Sequence, residues 1–114
     1  MAKSFQVDVV SPEAIVWSGE AELVVARTSD GELGIMADHE PMMGALTTGA
    51  VSVQAESGER TSIGVHGGFI QVLNNQVTLI TDRAEISEDH EAAQQMAKSL
   101  ADESEEAAED VVEP

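Results

Sequence analysis

Cysteine is absent from the 114-residue chain, so neither a disulfide framework nor a thiolate metal site is available to it. That absence fits a reducing compartment. Basic residues are nearly as scarce. Five Lys and Arg stand against 22 Asp and Glu, for a formal net charge of -17. Nucleic-acid binding needs a basic footprint, and direct attraction to anionic lipid needs one too. Both partners are therefore argued against. No apolar run approaches the ~20 residues that span a bilayer. The opening Met1-Ala2-Lys3-Ser4-Phe5 lacks the apolar stretch of a secretory signal. The expectation is a soluble cytosolic protein that reaches a membrane only by docking on a larger complex.

The charge that is present is uneven. Residues 1–83 carry 11 acids and 4 bases, whereas residues 84–114 carry 11 acids and 1 base. An acidic tail thus follows a more balanced domain. Within the first part, short apolar runs alternate with turn signals. Phe5, Val7 and Val9 share one face of a strand. Ser11-Pro12 breaks that run, Ile15-Val16-Trp17 follows, and Leu23-Val24-Val25-Ala26 ends at Ser29-Asp30-Gly31. Leu33 to Met36 and Met42 to Leu46 read as short strands on either side of an Ala37-Asp38-His39-Glu40-Pro41 loop. Two hairpins follow, 51–55 with 61–65 and 69–73 with 77–80. The second turns at Asn74-Asn75, residues that tolerate positive φ. Many short strands at close spacing predict a sandwich or barrel.

The pattern changes after Ser87, which reads as a helix N-cap. Glu88, Asp89 and Glu91 suit the positive end of a helix dipole. Ala93, Met96, Ala97 and Leu100 form a narrow apolar stripe, which predicts one short helix over about 88–101. Its burial of roughly 200–300 Å² makes docking marginal and reversible. Beyond Ala101 the acidic run has little to bury, and a frayed tail is expected.

Chemistry-bearing residues are few. Asp38-His39-Glu40 admits a metal or acid–base reading. Neither His66 nor His90 supplies a ligand at metal-site spacing. A loop making polar or partner contacts fits better. Gly31-Glu32-Leu33-Gly34 and Gly67-Gly68 lack a P-loop lysine, and they read as turns or close backbone approaches. Trp17 reads as core filling. Met36, Met42 and Met43 serve equally well as core under a loop or as an adaptable partner surface.

Three stretches, in order and in register, then converge. Phe5-Gln6-Val7-Asp8-Val9-Val10-Ser11-Pro12-Glu13 with Trp17-Ser18-Gly19 resembles the opening of bacterial F-type ATP synthase epsilon subunits. Residues 31–43, from Gly31-Glu32-Leu33-Gly34 through His39-Glu40-Pro41-Met42-Met43, resemble the most distinctive segment of that family. Gly67-Gly68-Phe69 with Val72 and Val77-Thr78-Leu79-Ile80 is similar to its closing hairpin. The resemblance implies a mostly β fold: a ten-stranded β-sandwich over residues 1–84, which binds the gamma subunit and the c-ring. A shortened helical segment and acidic tail would fill residues 85–114. It implies a non-catalytic subunit of the central stalk, without cofactor or metal, that couples proton translocation to ATP synthesis. No homo-oligomer is implied, and the location is the cytoplasmic face of the bacterial plasma membrane, as a peripheral protein. Glu32 and His39 match the positions that face the c-ring in the family. Ser11, Met42 and Met43 are candidate partner-facing residues.

The C-terminus departs from the family pattern. Relatives commonly carry two antiparallel helices, which in some extend into the alpha/beta head and inhibit hydrolysis. Residues 87–114 are too few for both, and weak inhibition is expected. Some relatives bind ATP through Asp-x-x-Arg-Ala. Here the nearest match is Asp89-His90-Glu91-Ala92-Ala93, with Ala92 in place of arginine, so ATP binding is not expected. The rival readings are a small metal-dependent β-barrel enzyme and an acidic adaptor acting through residues 102–113. The first lacks clustered histidines, and the second leaves the motifs of residues 4–85 unexplained.

Overall fold

A computed structural model describes residues 4–111, with side chains described through Asp102. Strict alternation sets the first strand, β1 (Phe5–Val10), in which Phe5, Val7 and Val9 are buried and the intervening residues are not. β2 (Ile15–Ala21) returns antiparallel to it, and β3 (Leu23–Thr28) and β4 (Gly31–Ile35) form the next hairpin. β5 (Met42–Ala45) and β6 (Gly49–Gln54) precede two long strands, β7 (Arg60–Leu73) and β8 (Gln76–Ser87). The turn between these last two has φ of 51° at Asn74 and 61° at Asn75, the primed geometry that a twisted hairpin favours.

The long strands make the sandwich. Residues 69–73 of β7 and 76–80 of β8 lie in a first layer ordered β2-β1-β8-β7-β5. Residues 60–65 and 83–87 lie in a second, ordered β8-β7-β6-β3-β4. Valines and isoleucines of both layers form one core, among them Val7, Val24, Val53, Ile63, Ile70 and Leu79. Among the described residues eight strands are therefore present rather than ten. The expected strands at 61–65 and 69–73 are one strand, because Gly67 and Gly68 let the ladder bend from one layer to the other without breaking. Their φ values are 71° and 113°, a region L side chains rarely adopt. A Cβ at Gly68 would collide with the carbonyl of Ile80.

The helix α1 (His90–Val111) lies on the outer face of the second layer, against β6, β7 and β8. Ala93, Ala97 and Leu100 are buried, as the stripe predicts. Two expectations about it are corrected. Ser87 is not the cap: it ends β8 opposite Ser62, and its buried hydroxyl has no partner among the described residues. Asp89 caps instead, with its Oδ1 accepting from the Ala92 N–H at 2.8 Å. The helix also runs past residue 101 to Val111, where fraying is expected from the sequence. The glutamates and alanines of residues 103–109 are strong helix formers, and that propensity carries the backbone on where burial does not. Residues 112–114 of the expected frayed tail lie outside the described residues.

Candidate functional site

β4 is the last strand of the second layer and β5 the last of the first, and residues 36–41 carry the chain from one to the other. This stretch is one open side of the sandwich. Glu32 is exposed on β4 opposite Arg27. His39 is half-buried in the loop, and its Nδ1 lies 2.7 Å from the Glu40 carbonyl. A carbonyl only accepts, so Nδ1 carries the proton and Nε2 remains the acceptor of the neutral ring. The loop is pinned by the Asp38 N–H, which donates to Asn75 Oδ1 at 2.6 Å, and Asp38 takes φ of 64°. Asp38, His39 and Pro41 with Asn74 and Asn75 line a shallow cavity of about 280 Å³.

Glu32 and His39 thus share a side but not a contact. Glu32 sits toward the β3–β4 turn, about 10 Å of strand from Ile35, where the loop begins. Among the described residues, no group of three or more His, Asp or Glu is arranged to hold a metal. The methionines divide: Met42 packs against the core, whereas Met36 and Met43 are about two-thirds exposed. Trp17 packs against the core too, with its ring 3.0 Å from where a Cβ on Gly19 would stand.

The outer face of the first layer carries a feature missed in the sequence reading. Cross-strand register places Ala45 beside Phe69, Phe69 beside Ile80, Ile80 beside Val10, and Val10 beside Ile15. This is one apolar row across five strands, about 19 Å long at the usual strand spacing. Phe69 is 54% exposed, Ile80 48% and Ile15 69%. A signal for it was present. Val9-Val10, Phe69-Ile70 and Leu79-Ile80 are apolar doublets, and period two sends one member of each outward.

Ser11 stands at the end of this row. Its N–H donates to the Ala14 carbonyl at 2.9 Å, and Ala14 returns the bond to Ser11 at 3.3 Å. A tight turn results, presenting Ile15. The next cross-strand row is polar. There Asp8 accepts from the Ser18 hydroxyl at 2.6 Å and from the Gln6 and Gln76 amides at 3.2 Å and 3.1 Å. Chiefly the Ser18 hydrogen bond holds the Asp8 carboxyl below its ordinary range; slight burial opposes that, and the glutamines add to it.

Three kinds of comparison place this geometry among known proteins. Residues 4–87 match the family described as ATP synthase, Delta/Epsilon chain, beta-sandwich domain. The chain is 41% identical over 92 residues to the ATP synthase epsilon chain of Streptomyces avermitilis, covering 81% of this chain and 74% of that one. It is 39% identical over 107 residues to the epsilon chain of Streptomyces griseus, covering 90% and 86%. Among solved structures, it is similar to a chain of the Euglena gracilis mitochondrial ATP synthase, OSCP/F1/c-ring. The TM-score is 0.70 at 25% identity, covering 87% of this chain and 62% of that chain's length. A chain of the Tetrahymena thermophila central stalk/c-ring shares the fold, with a TM-score of 0.57 at 16% identity over 73% of this chain and 66% of that one.

Proposed function

Since this chain belongs to the ATP synthase delta/epsilon family, with bacterial epsilon chains as its relatives, we propose that it joins the gamma subunit to the c-ring through two different surfaces of one sandwich. The chain is a non-catalytic subunit of the F-type ATP synthase central stalk, peripheral to the membrane sector. No described helix is long and apolar enough to cross a membrane. On this reading it lies at the cytoplasmic face of the bacterial plasma membrane.

The apolar row carries the proposal. Exposed Phe69, Ile80 and Ile15 in register form a connected anchor of the kind that dominates interface energetics. The row is assigned to gamma, with Ser11 and Met43 at its margins. Met42, packed inward, contributes support rather than contact. The polar open side bearing Glu32 and His39 is assigned to the loops of the c-ring. Hydrogen bonds and charge suit a contact that fixes register there.

Substitutions on each surface test the two assignments separately. Ile80→Glu should abolish copurification with gamma, and Phe69→Ala should weaken it about tenfold or more. Glu32→Lys should leave gamma binding intact while lowering ATP-driven proton pumping relative to hydrolysis. Gamma binding that survives both row variants would remove the assignment.

A further inference from the structure

A second cavity lies in the seam between the sandwich and α1. It measures about 200 Å³ and is lined by Arg27, Thr48, Gly49, Gln94 and Lys98. Its composition departs from the rest of the chain. Two of the five Lys and Arg residues line it, and among the described residues no Asp or Glu does. Arg27 comes from β3 and Lys98 from α1, so the fold brings them together from distant parts of the sequence. Neither side chain has a hydrogen-bond or ion-pair partner among the described residues, Asp102 one helical turn from Lys98 included. The Arg27 stem lies over Gly49, with Cδ 3.6 Å from where a Cβ would stand. Glycine there leaves the guanidinium room to settle against the wall.

Neutral donors complete the set. Thr48 Oγ1 lies 2.8 Å from His66 Nδ1. In the tautomer with the proton on Nδ1, His66 donates to Thr48, and the threonine hydrogen is free to point into the cavity. Gln94 Nε2 lies 3.1 Å from His90 Nε2, which leaves the second hydrogen of its amide nitrogen as a donor. Residues bearing a planar fork, a point charge, a hydroxyl and an amide then line one space, large enough for a tetrahedral anion with part of its hydration shell.

We propose that this seam binds a phosphate-class oxyanion, with Arg27 and Lys98 as the charged ligands and Thr48 and Gln94 as the neutral ones. Two solvent-accessible charge-assisted contacts give a dissociation constant on the order of 1 mM. The site lies away from the row assigned to gamma. Glu32 of the c-ring surface stands opposite Arg27, but the proposal is tested on the free chain and so stands or falls independently of those assignments. An anion that bridges β3 and α1 also favours the docked helix by mass action.

The test is a titration of the full-length ¹⁵N-labelled chain with inorganic phosphate at constant ionic strength, with chloride as compensating salt. Saturable shifts confined to Thr48, Gly49, Gln94 and the neighbours of Arg27 and Lys98 are expected, with slower amide exchange in α1. Arg27→Ala and Lys98→Gln should each weaken binding about tenfold or more. Both residues are exposed, so an unchanged, well-dispersed spectrum certifies the fold. A response to ATP larger than that to phosphate, lost in the same variants, would assign the phosphate group to a nucleotide. Non-saturating shifts, shifts equal in chloride alone, or shifts that survive both substitutions would overturn the site.

Discussion

Gly64 is the position where one added group should separate the helix from the sandwich. A Cβ there would lie 2.6 Å from the Ala93 carbonyl oxygen, 2.9 Å from Met96 Cβ and 3.0 Å from the Ala97 nitrogen. Two of these atoms are backbone, so no rotamer change relieves the overlap. Burial of Ala93, Ala97 and Leu100 contributes about 4–5 kcal/mol gross, most of it offset by the entropy of fixing the helix against the sheet. Overpacking typically costs about 1–3 kcal/mol, which is comparable with the net that remains. Gly64→Val should therefore shift α1 from mostly docked to mostly undocked, a change of roughly 5- to 150-fold in the ratio. The sandwich itself should not suffer. Ile63 and Val65 face the core while residue 64 faces outward, and valine suits a strand better than glycine. Hydrogen exchange should show protection lost over residues 90–102 and retained in β1 and β8. Protection of α1 equal to that of the parent chain would refute the packing argument, and loss of protection in the sheets would show the wrong face had been assigned.

Other expectations are narrower. Gly68→Ala forces a side chain into positive φ and against the Ile80 carbonyl; it should destabilise the sandwich by about 2 kcal/mol or more, read from denaturant midpoints. Asp8 has a folded-state pKa below its unfolded value, so its stabilising contribution is present above about pH 4 and disappears as pH falls through the folded value. Asp8→Asn should flatten that acid limb of the stability curve, and an unchanged limb would count against the Ser18 contact. Equilibrium dialysis with ATP should give no binding tighter than about 1 mM, since Ala92 occupies the arginine position of the nucleotide motif. Deleting residues 88–114 leaves β8 whole and should barely alter hydrolysis by the assembled enzyme; strong activation would show that α1 inhibits.

Much of the fold was legible because it follows from alternation and turn chemistry, both local properties. Phe5, Val7 and Val9 face inward as period two requires, and Asn74-Asn75 turns as positive φ allows. What was not legible depends on long-range pairing. Glycines at 67 and 68 signal a bend, but only the partner strand decides whether the chain breaks there or carries the ladder round the corner. The apolar row illustrates this best. Its members come from five strands, with Ile15 and Ile80 separated by 65 residues, and no window of sequence holds them together. Ser87 was misassigned for a related reason: capping chemistry is local, but the ladder opposite Ser62 takes that residue first. The helix extending beyond residue 101 shows the reverse error, in which burial was weighed above intrinsic propensity.

The two outer faces of the sandwich differ in the size of what they present, and that difference separates their roles. On the second layer, register places Ala50 beside Gly64 and Ser52 beside Ser62. Small side chains are what a helix needs to bring its own backbone close. On the first layer the outward positions include Phe69, Leu73, Ile80 and Ile15, side chains that would hold a helix backbone away but fill pockets on a separate partner. A face built for close intramolecular packing and a face built for anchors cannot readily exchange occupants. The position of α1 therefore leaves the anchor face free, which supports the proposed stalk contact on that face. Transplanting the chemistry tests this directly. A chain with Phe69→Ala and Ile80→Ser should keep α1 docked and lose gamma, while Gly64→Val should release α1 and keep gamma. Gamma binding that follows the helix instead of the row would show that the second layer, not the first, carries the stalk.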